Sequence, residues 1–207
     1  MLEARYDDER VVLKGYALVN DRQRRNLERE LRILSRVRHD AVIRAAAVVD
    51  DADSTSPVPM LYIEFPFCAG GNLRDWVATA PRAPWELRDA FRQALCGAMH
   101  LHDRGIVHKD IKPGNILVHA DGRVMLADFD ISRDIVPPRP IRAGTAGFMA
   151  PEVEAGQAGS PASDMFSLGA VLFWMHFPTH PTGPVVSAVG VPETADAALA
   201  ALLGRLL

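Results

Sequence analysis

The chain has 207 residues, of which 48% are hydrophobic and 24% charged, and its formal net charge at pH 7 is −3. This length allows one domain or two small lobes with a real core, and the charge predicts no nucleic-acid and no membrane partner. The charged residues that follow Met1 predict no signal peptide, and no apolar run approaches the length of a membrane span. Cys68 and Cys96 form no disulfide or metal-ligand pattern, so we expect buried thiols and a cytoplasmic or nuclear location. The sequence does not indicate an oligomeric state.

The first half of the chain alternates short predicted strands with one helix. An apolar run that ends at Lys14 predicts a strand over residues 10–19. Apolar residues at spacings of three and four then predict an amphipathic helix over about residues 21–37. Two further strands are predicted over residues 41–49 and 60–65, and the loop between them is acidic and contains proline.

From residue 72 onward the predicted elements are mainly helices. Helical patterns cover residues 72–79 and about 85–104. Farther along, Ile116–Val118 and Val124–Ala127 flank a turn, as the two strands of a hairpin do. The polar segment His108–Asn115 lies between the long helix and this hairpin, so it is displayed between rigid elements.

This polar segment combines a carboxylate, an ammonium group and a carboxamide. Asp110 can accept the proton of a hydroxyl group, Lys112 can neutralise phosphate charge, and Asn115 can hold a metal ion. These are the groups that phosphoryl transfer needs. The segment is therefore predicted to be an active-site loop.

The segment His108–Asn115 resembles the catalytic loop of protein kinases, His-Arg-Asp-x-Lys-x-x-Asn, with Lys109 in place of the arginine. Three further segments follow in the family's order: Asp128–Asp130 resembles the Asp-Phe-Gly metal motif, residues 144–152 resemble the substrate-side loop that ends in Ala-Pro-Glu, and residues 163–169 resemble the buried helix beyond it. On these residues the chain is identified as a member of the eukaryotic-type serine/threonine protein kinases. We keep the name catalytic loop for His108–Asn115 below.

The resemblance implies an α+β fold with two lobes. The first lobe is expected to be a small antiparallel β-sheet with one helix over residues 1–67, and the second a larger, mainly helical lobe over residues 68–207. Only 13 residues precede Lys14, and they contain no Gly-x-Gly-x-x-Gly loop. The C-terminal helices of the family are also not matched. We therefore expect an incomplete kinase domain, with weak activity and stability in isolation.

The resemblance also implies ATP and Mg²⁺ as cofactors. Asp110 is then the general base, and Asn115 and Asp128 are the metal ligands. The strand lysine, Lys14, contacts phosphates and pairs with Glu30 of the helix. The expected nucleotide contacts are Val12, Lys14, Pro66, Cys68, Lys112, Asn115, Leu117 and Asp128.

The expected partner is a protein substrate with a serine or threonine acceptor. Lys112 together with Thr145 resembles the serine/threonine-specific members, in which the threonine hydroxyl bonds toward Asp110 and Lys112. Asp164 is expected to brace the catalytic loop by accepting bonds from its backbone, or to cap the following helix, or both. His108 is expected to support the loop and not to act as the base.

Two residues depart from the family pattern. Asp130 stands where the family has glycine, which restricts the backbone and adds a negative charge beside the metal ligand. Lys109 cannot make the two-pronged phosphate contact of the usual arginine. Between Ser132 and Thr145 there is no Ser, Thr or Tyr. We therefore expect no phosphorylation switch in this loop.

Three functions remain open on the sequence. The first is a serine/threonine protein kinase. The second is a pseudokinase, a nucleotide-binding or scaffolding module with little phosphotransfer, to which Lys109 and Asp130 point. The third is a kinase of small molecules, against which Thr145 and the Ala150–Glu152 motif argue.

Overall fold

The first part of the chain is an antiparallel sheet with one helix packed on it. The computed structural model describes residues 1–6, 9–51, 58–135, 144–178 and 196–207. In that part of the chain the strands follow the order β1-β2-β4-β3. They are β1 (Leu2–Tyr6), β2 (Glu9–Ala17), β3 (Ala47–Asp50) and β4 (Met60–Pro66). The sequence predicts β2 and β4 correctly, but it predicts no strand before residue 10, so β1 was not predicted.

The predicted strand over residues 41–49 is wrong over residues 41–46, because β3 begins only at Ala47. The residues before it bond to the other part of the molecule. Ile43 donates its amide to the Leu126 carbonyl at 2.9 Å, and the Leu126 amide donates to the Ala41 carbonyl at 2.9 Å. The extended run that reads as one strand is thus divided between two parts of the fold.

Helix α1 (Asp21–Arg36) confirms the predicted amphipathic helix. The side chain of Asn20 caps its first turn by accepting from the Gln23 amide. Its buried face is apolar except for one carboxylate, Glu30. Because a buried carboxylate needs partners, this face is arranged to meet a cation.

The second part of the chain is mainly helical. Its helices are α2 (Leu73–Thr79), α3 (Pro84–Asp103), α4 (Pro151–Glu154), α5 (Pro161–His176) and α6 (Ala197–Leu206). Two small antiparallel pairs of strands lie among them. These strands are β5 (Ile106–Val107) with β8 (Arg133–Asp134), and β6 (Ile116–Val118) with β7 (Val124–Leu126). The predicted hairpin is therefore confirmed.

Helix α5 is buried along most of its length. Its N-terminus is capped by Ser160, whose side chain accepts from the Ser163 amide. Asp164 lies inside the first turn, so the alternative that it caps this helix is wrong. Its side chain is free to bond elsewhere.

One hydrophobic core runs through both parts of the molecule. Ile63 of β4, Leu34 of α1, Leu101 of α3 and Leu168 of α5 belong to a single buried cluster. The catalytic loop and the sheet are therefore fixed relative to each other by packing. None of the helices in the described residues has the length and hydropathy needed to span a membrane.

Candidate active site

A buried carboxylate on α5, Asp164, bonds to the backbone of the catalytic loop. Oδ2 of Asp164 accepts from the His108 amide at 2.8 Å, and Oδ1 accepts from the Lys109 amide at 2.9 Å. His102 of α3 also reaches Oδ2, at 2.9 Å. Lys109 has the left-handed backbone angle φ of 74°, which turns the chain sharply at this point. Asp164 therefore fixes the bend that presents the next residue.

His108 supports the loop, as expected, and both of its ring nitrogens are occupied. Nδ1 accepts from the Asp110 amide at 3.3 Å, and Nε2 donates to the Ala127 carbonyl at 3.0 Å. The ring is fully buried and packs on Phe129 at 5.1 Å between centroids. It has no free nitrogen for proton transfer with a substrate.

Asp110 is the centre of a small polar network. Its Oδ2 accepts from Nζ of Lys112 at 2.8 Å and from Nδ2 of Asn115 at 2.9 Å. Its Oδ1 accepts from Oγ1 of Thr145 at 2.7 Å, and Lys112 also donates to Thr145 at 2.7 Å. The predicted contacts of Thr145 with Asp110 and Lys112 are thus present. The network holds the carboxylate in one orientation with its charge partly balanced.

A second polar cluster surrounds Lys14 of β2. Its Nζ lies 3.0 Å from Oε1 of Glu30, 3.0 Å from Oδ1 of Asp128 and 2.8 Å from Oδ1 of Asp130. The Lys14–Glu30 pair predicted from the resemblance is therefore present. Tyr16, on the same face of β2, donates a hydrogen bond to Oε2 of Glu30.

These contacts shift the proton affinities of the cluster. Burial disfavours the charged form of Lys14, but Glu30, Asp128 and Asp130 outweigh it and raise the pKa of the ammonium group. Burial, together with the neighbouring Asp130, raises the pKa of Glu30 to about 7. Burial opposes ionisation of Asp130, yet hydrogen bonds with Glu30 and Lys14 keep its pKa below the ordinary value. Of these two carboxyl groups, Asp130 is therefore the one that ionises more readily.

Two oxygen atoms are available for a metal ion. Asn115 uses its Nδ2 on Asp110, and Asp128 uses its Oδ1 on Lys14. Within the described residues no hydrogen bond reaches Oδ1 of Asn115 or Oδ2 of Asp128. A carboxylate and a carboxamide oxygen are ligands that Mg²⁺ accepts. The residues present thus fit the metal that the resemblance implies.

A cavity of about 270 Å³ lies between the sheet and the catalytic loop. Its lining includes seven of the expected nucleotide contacts: Val12, Lys14, Pro66, Cys68, Asn115, Leu117 and Asp128. Glu30 also reaches it. Lys112, the eighth, does not line the cavity and lies between Asp110 and Thr145. The cavity is apolar beside Phe65 and polar beside Lys14, which suits a base at one end and phosphates at the other.

Sequence reasoning missed Tyr16 as a member of the site. Because residues two apart on a strand face the same side, its position after Lys14 was the available signal. Residues 136–143, most of the loop predicted to lack a phosphorylation switch, lie outside the described residues. The prediction about that loop stays a prediction.

A family model described as protein kinase domain matches residues 3–187 of the chain. The chain therefore belongs to the protein kinase family, and its domain is of the eukaryotic serine/threonine type. It is 35% identical over 156 residues to the death-associated protein kinase dapk-1 of Caenorhabditis elegans, covering 72% of this chain and 10% of that protein. It is 32% identical over 167 residues to CBL-interacting serine/threonine-protein kinase 24 of Arabidopsis thaliana, covering 78% of this chain and 36% of that protein. The chain thus spans a minor share of these relatives.

Proposed function

We propose that the chain transfers the γ-phosphoryl group of ATP, with Mg²⁺, to a serine or threonine hydroxyl of a protein substrate. The observation that carries the proposal is the network of Asp110, Lys112 and Thr145 beside the cavity that Lys14 enters. It joins a proton acceptor, a cation and a hydroxyl in the arrangement that phosphoryl transfer uses.

Each side chain has a separate task in this reaction. Asp110 accepts the proton of the substrate hydroxyl while the hydroxyl oxygen bonds to the γ-phosphorus and the bond to the bridging β–γ oxygen breaks. Lys112 balances negative charge at the point of transfer, and Lys14 binds the phosphates of the nucleotide. Asn115 and Asp128 would hold Mg²⁺, which neutralises phosphate charge when it is bound.

The serine/threonine acceptor class is inferred from Thr145, which together with Lys112 resembles the serine/threonine-specific kinases. The Thr145 hydroxyl and Lys112 both contact Asp110, so the base is oriented before a substrate arrives. The side chains of this network also leave Asp110 partly exposed, at 13%, to an incoming hydroxyl.

Two substitutions test the assignment of roles. Asp110→Asn should abolish transfer of radiolabelled phosphate to a generic basic protein and leave ATP affinity nearly unchanged. Asp128→Asn, in contrast, should lower transfer and should weaken the binding of ATP in the presence of Mg²⁺. Asp121→Asn, in the exposed β6–β7 turn, is the matched control. Equal losses of ATP binding in the two site variants would contradict the assignment.

A nucleotide-binding module with little phosphotransfer is the second candidate. The observation that favours it is the contact of Asp130 with Lys14, a negative charge at the place where phosphates are expected. An active wild-type chain in the radiolabel assay would exclude this candidate.

A further inference from the structure

The carboxylate of Asp130 accepts a hydrogen bond from Lys14, the lysine that is expected to bind phosphates. Its Oδ1 lies 2.8 Å from Nζ of Lys14 and 3.3 Å from the Tyr16 hydroxyl. Glycine, which the family has at this position, offers no such group. The contact is therefore a property of this chain.

Lys14 has no hydrogen-bond donor to spare in this arrangement. An ammonium group carries three N–H donors, and Nζ has acceptors on Glu30, Asp128 and Asp130 within 3.0 Å. The Lys14 side chain is only 15% exposed, so little of it is open to solvent. A phosphate oxygen can bond to Lys14 only if one carboxylate leaves.

The three carboxylates differ in how easily they can be displaced. Glu30 is 2% exposed and is also bonded to Tyr16, whereas Asp128 is 37% and Asp130 is 51% exposed. Exposed ions regain hydration when a contact breaks, and buried ones do not. Asp130 is therefore the carboxylate that a phosphate displaces at the lowest cost.

The backbone of Asp130 can stay in place while its side chain moves. Nη2 of Arg29 donates to the Asp130 carbonyl at 2.8 Å, which ties this residue to α1. Among the described non-glycine residues only Lys109 and Asp128 have positive φ, so Asp130 does not need the glycine conformation. We therefore expect the main-chain contact to remain when the carboxylate is removed.

We propose that Asp130 is a positioning residue that competes with the nucleotide phosphates for Lys14. It holds the lysine toward Glu30 when the cavity is free and must be released before the phosphates bind. The inference rests on the proposed function, because it takes ATP as the ligand. Its consequence is a weakened affinity for ATP with little effect on the transfer step.

The test compares Asp130→Asn and Asp130→Gly with the wild-type chain. Titration calorimetry with ATP and Mg²⁺ should give about tenfold tighter binding for both variants, since a charge-assisted contact no longer has to break. The KM for ATP should fall by a similar factor while kcat stays the same. Asp134→Asn, a matched control on the same segment that contacts Arg36 and not Lys14, should bind ATP like the wild type.

A second comparison separates competition for Lys14 from general repulsion. In a Lys14→Met background, Asp130→Asn should no longer tighten ATP binding, because the contact is already absent. An unchanged or weaker affinity in Asp130→Asn, or a full gain in the Lys14→Met background, would overturn the inference. A failure of every variant, wild type included, to bind ATP would instead contradict the proposed function. Thermal unfolding of each variant checks that the fold is retained.

Discussion

Asp164 is a buried carboxylate that serves the catalytic loop more than its own helix. It is fully buried and accepts from the amides of His108 and Lys109. We expect Asp164→Ala to lower the free energy of unfolding by about 2–5 kcal/mol, because two buried amides lose their acceptor. Urea unfolding measures this effect. Asp121→Ala, at an exposed turn, should change it far less, and equal effects of the two substitutions would contradict the bracing role.

Glu30 makes the stability of the ligand-free chain depend on pH. Burial and Asp130 raise its pKa from 4.5 to about 7 in the folded chain. The folded state therefore binds the proton more tightly than the unfolded state, and this stabilisation is complete below pH 4.5 and is lost as the pH rises through about 7.

The pH effect is measured against Glu30→Gln, which does not titrate. The free energy of unfolding of the wild type relative to this variant should fall by about 3 kcal/mol between pH 4 and pH 8. Urea unfolding of both chains at several pH values provides the numbers. A difference that stays constant or grows with pH would show that folding does not raise the pKa of Glu30.

At the scale of elements, helix α3 packs closely on the chain that leaves α1. A Cβ atom added at Gly97 of α3 would lie 2.5 Å from the Ala41 carbonyl oxygen, which is backbone and cannot move aside easily. The same carbonyl accepts from the Leu126 amide at 2.9 Å. Because Gly97 has no side chain, α3 can pack against the Ala41 backbone, which also bonds to Leu126 of β7.

Two alanine substitutions within helices should have opposite signs. Alanine favours a helix over glycine by about 1 kcal/mol. At Gly204 of α6 an added Cβ meets nothing within 4 Å, so Gly204→Ala should raise the free energy of unfolding by up to this amount. Gly97→Ala should lower it by about 1–3 kcal/mol, because overpacking outweighs propensity. Thermal or urea unfolding decides, and a stabilised Gly97→Ala would contradict the close packing.

At the scale of the whole molecule, the proposed nucleotide cavity lies between the two parts, so we expect ligand binding to stabilise both. ATP with Mg²⁺ at about 100 times the dissociation constant should add about 2.7 kcal/mol to the free energy of unfolding. For a chain of this size that raises the Tm by about 5–10 °C. Differential scanning calorimetry with and without EDTA measures the shift. A shift that survives removal of Mg²⁺ unchanged would contradict the metal-ligand roles of Asn115 and Asp128.

The parts of the fold that the sequence predicts well are those determined by local pattern and by short motifs. Helix α1 follows from its apolar spacing, and Asp110 and Asn115 are recognised from the sequence pattern of the catalytic loop. The segment from Ala41 to Val49 could not be divided correctly, because its division depends on bonds to Leu126, far along the chain. The contact of Asp130 with Lys14 is equally non-local. The sequence marks the aspartate as unusual, but only the fold brings it to β2.

The long reach of Asp164 has a consequence for synthesis of the chain. Its carboxylate lies 56 residues beyond the His108 amide that it binds. Closing so long a connection carries an entropic cost that local helix formation does not. We therefore expect the catalytic loop to acquire its shape on the ribosome only after α5 has emerged and docked. A nascent chain that ends before Asp164 lacks the acceptor for the His108 and Lys109 amides, which precede Asp110.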